Sequence, residues 1–178
     1  MTMTSFITAP EKTLKLTRNR VLLGIAIPAY IGLSIWILDA NDASPRFRFD
    51  LTPLLETSVA IQIHVVSAIL TFAIGLFLLS APKGFTLHRT FGWAWVVAMA
   101  FTALSSFFIS SFPGTYFSPI HALSAWTMIG LPMAIAAVRR RKIAEHRKQM
   151  TNMFVGGMLV AGLFSFLPGR LMWSMFFV

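Results

Sequence analysis

The chain has 178 residues, of which 56% are hydrophobic and only 12% charged, whereas roughly a quarter of residues are charged in soluble domains. Its 15 basic residues outnumber 6 acidic ones, yet they sit in short segments between apolar runs, which reports membrane orientation and not a nucleic-acid surface. The absence of cysteine excludes disulfides, thiolate metal sites, thiol nucleophiles and iron–sulfur clusters held by this chain alone.

Residues 1–20 are polar and basic and read as a cytoplasmic segment; the first apolar run starts late and lacks a clean small-residue cleavage site, so it is expected to stay as a retained helix. The sequence predicts an all-α integral membrane protein with five spanning helices: a peripheral one from Val21 to Leu38, then Thr57 to Ser80, Thr90 to Phe112, Ser118 to Val138 and Thr151 to about Phe176. Each run is long enough to cross roughly 30 Å of hydrocarbon as a helix. Lys12, Lys15, Arg18 and Arg20 precede helix one, Lys83 and Arg89 lie between two and three, and Arg139, Arg140, Arg141, Lys142, Arg147 and Lys148 lie between four and five. Alternate connections thus carry most of the positive charge, which puts the N-terminus inside and the C-terminus outside a bacterial inner membrane. The connection after helix one sets Asp39, Asp42, Asp50 and Glu56 against Arg46 and Arg48, and Phe112 to Ser118 is uncharged.

Helices two and three repeat in helices four and five. Ile63-His64-Val65-Val66-Ser67-Ala68 aligns with Ile120-His121-Ala122-Leu123-Ser124-Ala125. His88-Arg89 follows 24 residues after His64, His146-Arg147 follows 25 after His121, and Ser111-Phe112-Pro113-Gly114 is echoed by Ser165-Phe166-Leu167-Pro168-Gly169 with one residue added. A duplicated hairpin, residues 57–114 and 118–176, predicts a four-helix bundle of parallel repeats about an axis along the membrane normal.

All four histidines occupy equivalent repeat positions. His64 and His121 fall near the outer surface and His88 and His146 near the inner one, giving two two-histidine sites roughly 20 to 25 Å apart. Zinc prefers four ligands, or three and an open position, and neither pair has a carboxylate or thiol nearby in sequence within the membrane. Haem brings four nitrogens and asks only for axial ligands, so the count fits two bis-histidine haems b, His64/His121 outer and His88/His146 inner. Small residues near the histidines, among them Ser67, Ala68, Gly75, Gly92, Ser124 and Ala125, leave room beside a flat macrocycle and also serve plain helix packing. Arg89 and Arg147 are placed to pair with propionates or an anionic or quinone substrate, or else are ordinary orienting cations. Arg170 either reaches an outer propionate or substrate or snorkels to the interface. Met150 is an alternative axial or copper ligand; Trp36, Trp93, Trp95, Trp126 and Trp173 read as interfacial or packing aromatics.

This layout over helices two to five resembles the cytochrome b561 family, in which consecutive core helices each supply one histidine and alternate helices pair to hold two haems. The ascorbate-linked members have a sixth helix and substrate-binding strings that this chain lacks. The His-Arg-x-x-Gly string at His88 to Gly92 and the His-Arg before the last helix also look like an uncharacterised group of bacterial predicted membrane proteins. The resemblance implies transmembrane electron transfer, with quinol-linked or metal-reducing oxidoreductase activity as the enzymatic form. The expected partners are membrane lipid, quinone, an electron donor and acceptor supplied by other chains, and a second copy or a respiratory complex, with no nucleic acid. Two other classes fit the histidines: a proton or copper transporter, and a haem-free accessory subunit of a respiratory assembly.

Overall fold

The computed structural model describes residues 10–109 and 119–178. The Ser111–Gly114 motif, the uncharged connection from Phe112 to Ser118 and the start of the N-terminal segment lie outside them. The chain divides into two compact units, residues 1–43 and 44–178.

In the first unit, α1 runs from Pro10 to Ala40, longer at both ends than the apolar run alone suggests. Its last turn closes through N–H bonds from Ala43 to Leu38 (3.0 Å) and from Asp42 to Asp39 (3.2 Å), with Asp42 left-handed at φ 47°. That is a Schellman ending, in which a residue outside the helix turns back to satisfy the free carbonyls.

The second unit is built from α2 (Thr52–Leu55), α3 (Val59–Ser80), α4 (Thr86–Ser106), α5 (Pro119–Arg139), α6 (Ile143–Asn152), a π-helical segment (Met153–Val160), α7 (Ala161–Ser165) and α8 (Leu171–Phe176). Thr52 N–H bonds the Asp50 carboxylate at 2.9 Å at the start of α2. The Thr52 hydrogen bonds, with Arg48 beside them, hold the Asp50 carboxyl below its ordinary value. Among the described residues the helices Arg20–Ala40, Val59–Ser80 and Ile120–Arg139 are long and apolar enough to cross a membrane. α4 opens on Thr86, His88, Arg89 and Thr90 and carries Thr102, Ser105 and Ser106, a polar content that lowers its hydropathy although its 21 residues reach far enough.

Two more of the expected helices are corrected. The third runs from Thr86 to Ser106 and not from Thr90 to Phe112, so His88 stands in its first turn. The fifth does not run from Thr151 to Phe176: the helical stretch starts at Ile143, passes through the π segment and stops at Ser165, and α8 is separate. At the near end Arg141, left-handed at φ 60°, ends α5 through bonds from Lys142 N–H to Ala137 (2.9 Å) and Arg141 N–H to Val138 (3.0 Å), so the next helix can start at once. At the far end Pro168 disfavours helix in the residue before it, and Gly169 at φ 82° turns the chain.

α3 packs on α4, α4 on α5, α5 on α6 and the π segment, and the π segment returns to α3. The interior between them holds Thr71, Trp95, Met99, Leu131, Ala134, Met153, Phe154 and Met158, all buried, while Ile63, Val66, Leu70, Val97 and Ile129 are exposed. Large apolar side chains on the outside and hydroxyls within are the pattern that a lipid solvent favours. A second layer closes one end. Residues 46–50 pair with the C-terminal residues through Arg46 N–H to Val178, Arg48 N–H to Phe176 and Asp50 N–H to Met175, each 2.9 Å. Phe47 and Phe177 meet edge to face at 6.1 Å, and α2 packs on α8.

Candidate functional site

Each predicted histidine sits on a different helix of the ring: His64 on α3, His88 on α4, His121 on α5 and His146 on α6. His64 Nδ1 lies 2.9 Å from the Thr102 carbonyl oxygen on α4 and 3.3 Å from Ser105 Oγ. A carbonyl can only accept, so His64 carries its proton on Nδ1, and Nε2 keeps a free lone pair. His146 repeats the device: its Nδ1 lies 2.9 Å from the Ala134 carbonyl oxygen on α5, and its Nε2 is the acceptor. One anchored imidazole therefore stands at each end of the ring.

His64 and His121 both meet the C-terminal end of α4, where Phe107 caps the helix. His64 is held by Thr102 and Ser105; the ring of His121, which is 8% exposed, lies 5.9 Å from that of Phe107. Hydroxyls sew this level together. Thr102 Oγ1 donates to Ser67 Oγ at 3.0 Å, joining α3 to α4, and Ser106 and Ser124 share a short hydroxyl contact that joins α4 to α5. Each of these hydroxyls also bonds a carbonyl three or four residues back in its own helix. Buried polar groups in lipid need such partners because water is not there to supply them.

The inner histidines are brought within electrostatic reach of one another. His88, in the first turn of α4, lies near Lys83 and His146. Its Nδ1 is enclosed with no hydrogen-bond partner. Lys83 itself is spent on the end of α3, where Nζ donates to the carbonyls of Leu78, Leu79 and Ala81 at 2.7 to 2.8 Å. This uses the negative end of the helix dipole to hold a cation.

The arginines divide differently. Arg89, Arg147 and Arg170 are all exposed, and Arg170 is the residue before the first turn of α8. A groove of about 720 Å³ runs along the α3–α4 pair, lined by Ile63, Val66, Leu70, Val97 and Phe101 among others, and takes in none of the histidines. Among the described residues no three His, Cys, Asp or Glu side chains come together as a metal cluster.

What the donor set fits follows from its chemistry. If the histidines pair as the repeat predicts, each pair would fall short of the three or four protein ligands of zinc and suit the two axial positions of a haem. The carbonyl bond on the far nitrogen is the outer contact that orients a ligating histidine and raises its basicity. Sequence reasoning found the histidines but not their anchors. Thr102 and Ala134 act through the backbone, which every residue type has; only the hydroxyl of Ser105, one residue before the serine that pairs with Ser124, offered a sequence signal.

The pattern described as a predicted membrane protein (DUF2306) matches residues 61–175. The chain belongs to that family. The match opens three residues before His64 and takes in all four histidines and the ring of helices except the first two residues of α3. No curated protein and no solved structure matches the chain.

Proposed function

We propose that this member of the family is a transmembrane electron carrier that holds two haems b, one between His64 and His121 and one between His88 and His146. The observation that carries the reading is the pair of carbonyl-anchored imidazoles, His64 on Thr102 and His146 on Ala134, which leave one Nε2 free for iron at each end of the ring. The cyclic packing of α3, α4, α5 and the α6–α7 stretch supports a four-helix core in which α3 faces α5 and α4 faces the last stretch. Histidines from facing helices then meet across the centre. Haem supplies reversible one-electron chemistry; the protein supplies ligation, spacing and electrostatics.

In this reading the chain crosses the membrane five times, with the basic turns at Lys83 and Arg139 to Lys142 in the cytoplasm and the α2–α8 layer outside. Exposed Arg89 and Arg147 stand beside the inner site, where a guanidinium suits a propionate or a quinone donor, and Arg170 stands at the outer rim. The electron donor and acceptor are quinol, a reducible metal or another protein chain.

The test is a dithionite-reduced minus air-oxidised visible spectrum of the purified protein, with haem counted per chain. Sharp low-spin b-type bands at about two haems per chain are expected. Colourless protein from haem-replete cells, still folded, overturns the reading. If that protein instead takes up copper through His64 and His121, the transporter class takes its place; if it copurifies with stable partners, the accessory-subunit class does.

A further inference from the structure

Three helices of the ring carry an aromatic residue two turns inward from their histidine. Phe72 follows His64 by 8 residues, Trp95 follows His88 by 7, and Phe154 follows His146 by 8. At 1.5 Å per residue those offsets are roughly 10 to 12 Å. Measured inward from opposite ends of a span of roughly 20 to 25 Å, they bring all three side chains to the same middle level.

The structure makes that level continuous. Phe72 and Phe154 are stacked, with ring centroids 5.9 Å apart and planes at 16°. Phe154 and Trp95 converge on Gly75: a Cβ placed there would overlap the Phe154 ring and lie 2.9 Å from Trp95 Nε1. Phe154 and Trp95 are each 3% exposed, whereas Phe72 is 38% exposed and forms only the outer edge of the layer. Trp95 also lies on one face of α4 with His88 and with Thr102, seven residues away on either side; Thr102 is the residue whose carbonyl holds His64. One helix face thus runs from the inner imidazole through the indole to the anchor of the outer imidazole.

The Trp95 Nε1 proton is enclosed and has no hydrogen-bond partner. An unpartnered buried donor is unfavourable, so what this interior uses of Trp95 is its ring and not its N–H.

We propose that Trp95, Phe154 and Phe72 form the conducting layer through which an electron passes between the two histidine levels. The inference rests on the dihaem reading. In the step, the site at one level is oxidised as the site at the other is reduced; one electron crosses, no bond is made or broken, and no proton moves. The aromatic side chains are not oxidised. They provide closely packed, polarisable atoms in place of a gap, and a gap forfeits contact on the side where atoms are missing.

The experiment uses the full-length dihaem protein and measures electron equilibration between the two haems after rapid photoreduction, in Trp95→Leu, Trp95→Phe and Phe154→Leu. Optical spectra, haem count and both reduction potentials are recorded for each, and melting of the haem-free forms reports packing separately. Equilibration slowed by about tenfold or more in Trp95→Leu and in Phe154→Leu, with Trp95→Phe close to wild type, is expected where a lost ring opens a void. An unchanged rate in whichever leucine variant retains two haems overturns the layer and leaves the dihaem reading intact. Wild-type protein without haem removes both.

Discussion

The Nδ1 of His146 donates to the carbonyl of Ala134 across the α5–α6 turn at 2.9 Å. The bond ties the first turn of α6 to a residue buried at 0% exposure, and it fixes the ring nitrogen that faces away. Replacing His146 by alanine removes both functions, whereas His146→Asn keeps a side-chain N–H for the carbonyl and has no imidazole nitrogen for iron. Both variants should lose the inner haem and keep the outer one, and alanine should cost about 1 kcal/mol more in stability. Haem count and thermal melting separate the two effects. Loss of both haems in each variant would point to a single shared site.

Thr102 has two roles that a single substitution can part. Its carbonyl holds His64, and its hydroxyl donates to Ser67 at 3.0 Å. Thr102→Val keeps the carbonyl and the shape but leaves Ser67 without that donor. It should lower stability by about 0.5 to 1.5 kcal/mol, the range for hydrogen bonds between helices in membranes, and leave the outer haem spectrum unchanged. A spectrum altered as strongly as by His64→Ala would show that the hydroxyl, and not the carbonyl, orients the ring.

Two glycines in the interior respond oppositely to a methyl group. At Gly75 a Cβ runs into the Phe154 ring and the Trp95 indole, both rigid, and the cost should be about 1 to 3 kcal/mol. At Gly130 the nearest atom is Met153 Sδ at 3.2 Å, a flexible side chain that can give way. Gly130→Ala also gains roughly 0.5 to 1 kcal/mol of helix propensity, so it should be neutral or slightly stabilising. Melting of both variants under one detergent condition checks the contrast, and a destabilisation of equal size would contradict it.

The all-helical class and the three most apolar helices were legible because apolar runs of membrane length leave little alternative, and the histidines stood out because polar residues are rare among them. The helix ends were less so. The apolar run from Thr151 does not mark where its helix begins: charge does not prevent helix, so the stretch starts at Ile143, just after Arg141 adopts the left-handed geometry that ends α5. Pro168-Gly169 marks the break after Ser165, but apolar residues on both sides make the sequence read as one run. Trp95 was read as packing, and only its place between His88 and Thr102, with the unpaired N–H, separates it from the other tryptophans.

The π segment has a consequence for how such a sequence can change in length. A helix that widens over Met153 to Val160 carries more residues per turn than an α-helix, so the number of residues in this stretch sets the rotation of all that follows. Met153, Phe154 and Val155, three neighbours in sequence, are all buried there, an arrangement that a narrower helix would spread around more of its circumference. Deleting Gly156 or Gly157 would wind the segment toward ordinary α geometry and rotate everything after it, Pro168-Gly169 and the pairing of the C-terminal residues with Arg46 to Asp50 included. Length in this stretch is therefore coupled to the closure of the far end of the molecule, while Gly84 and the turn around it, exposed between α3 and α4, offer a place where residues can be gained or lost more freely.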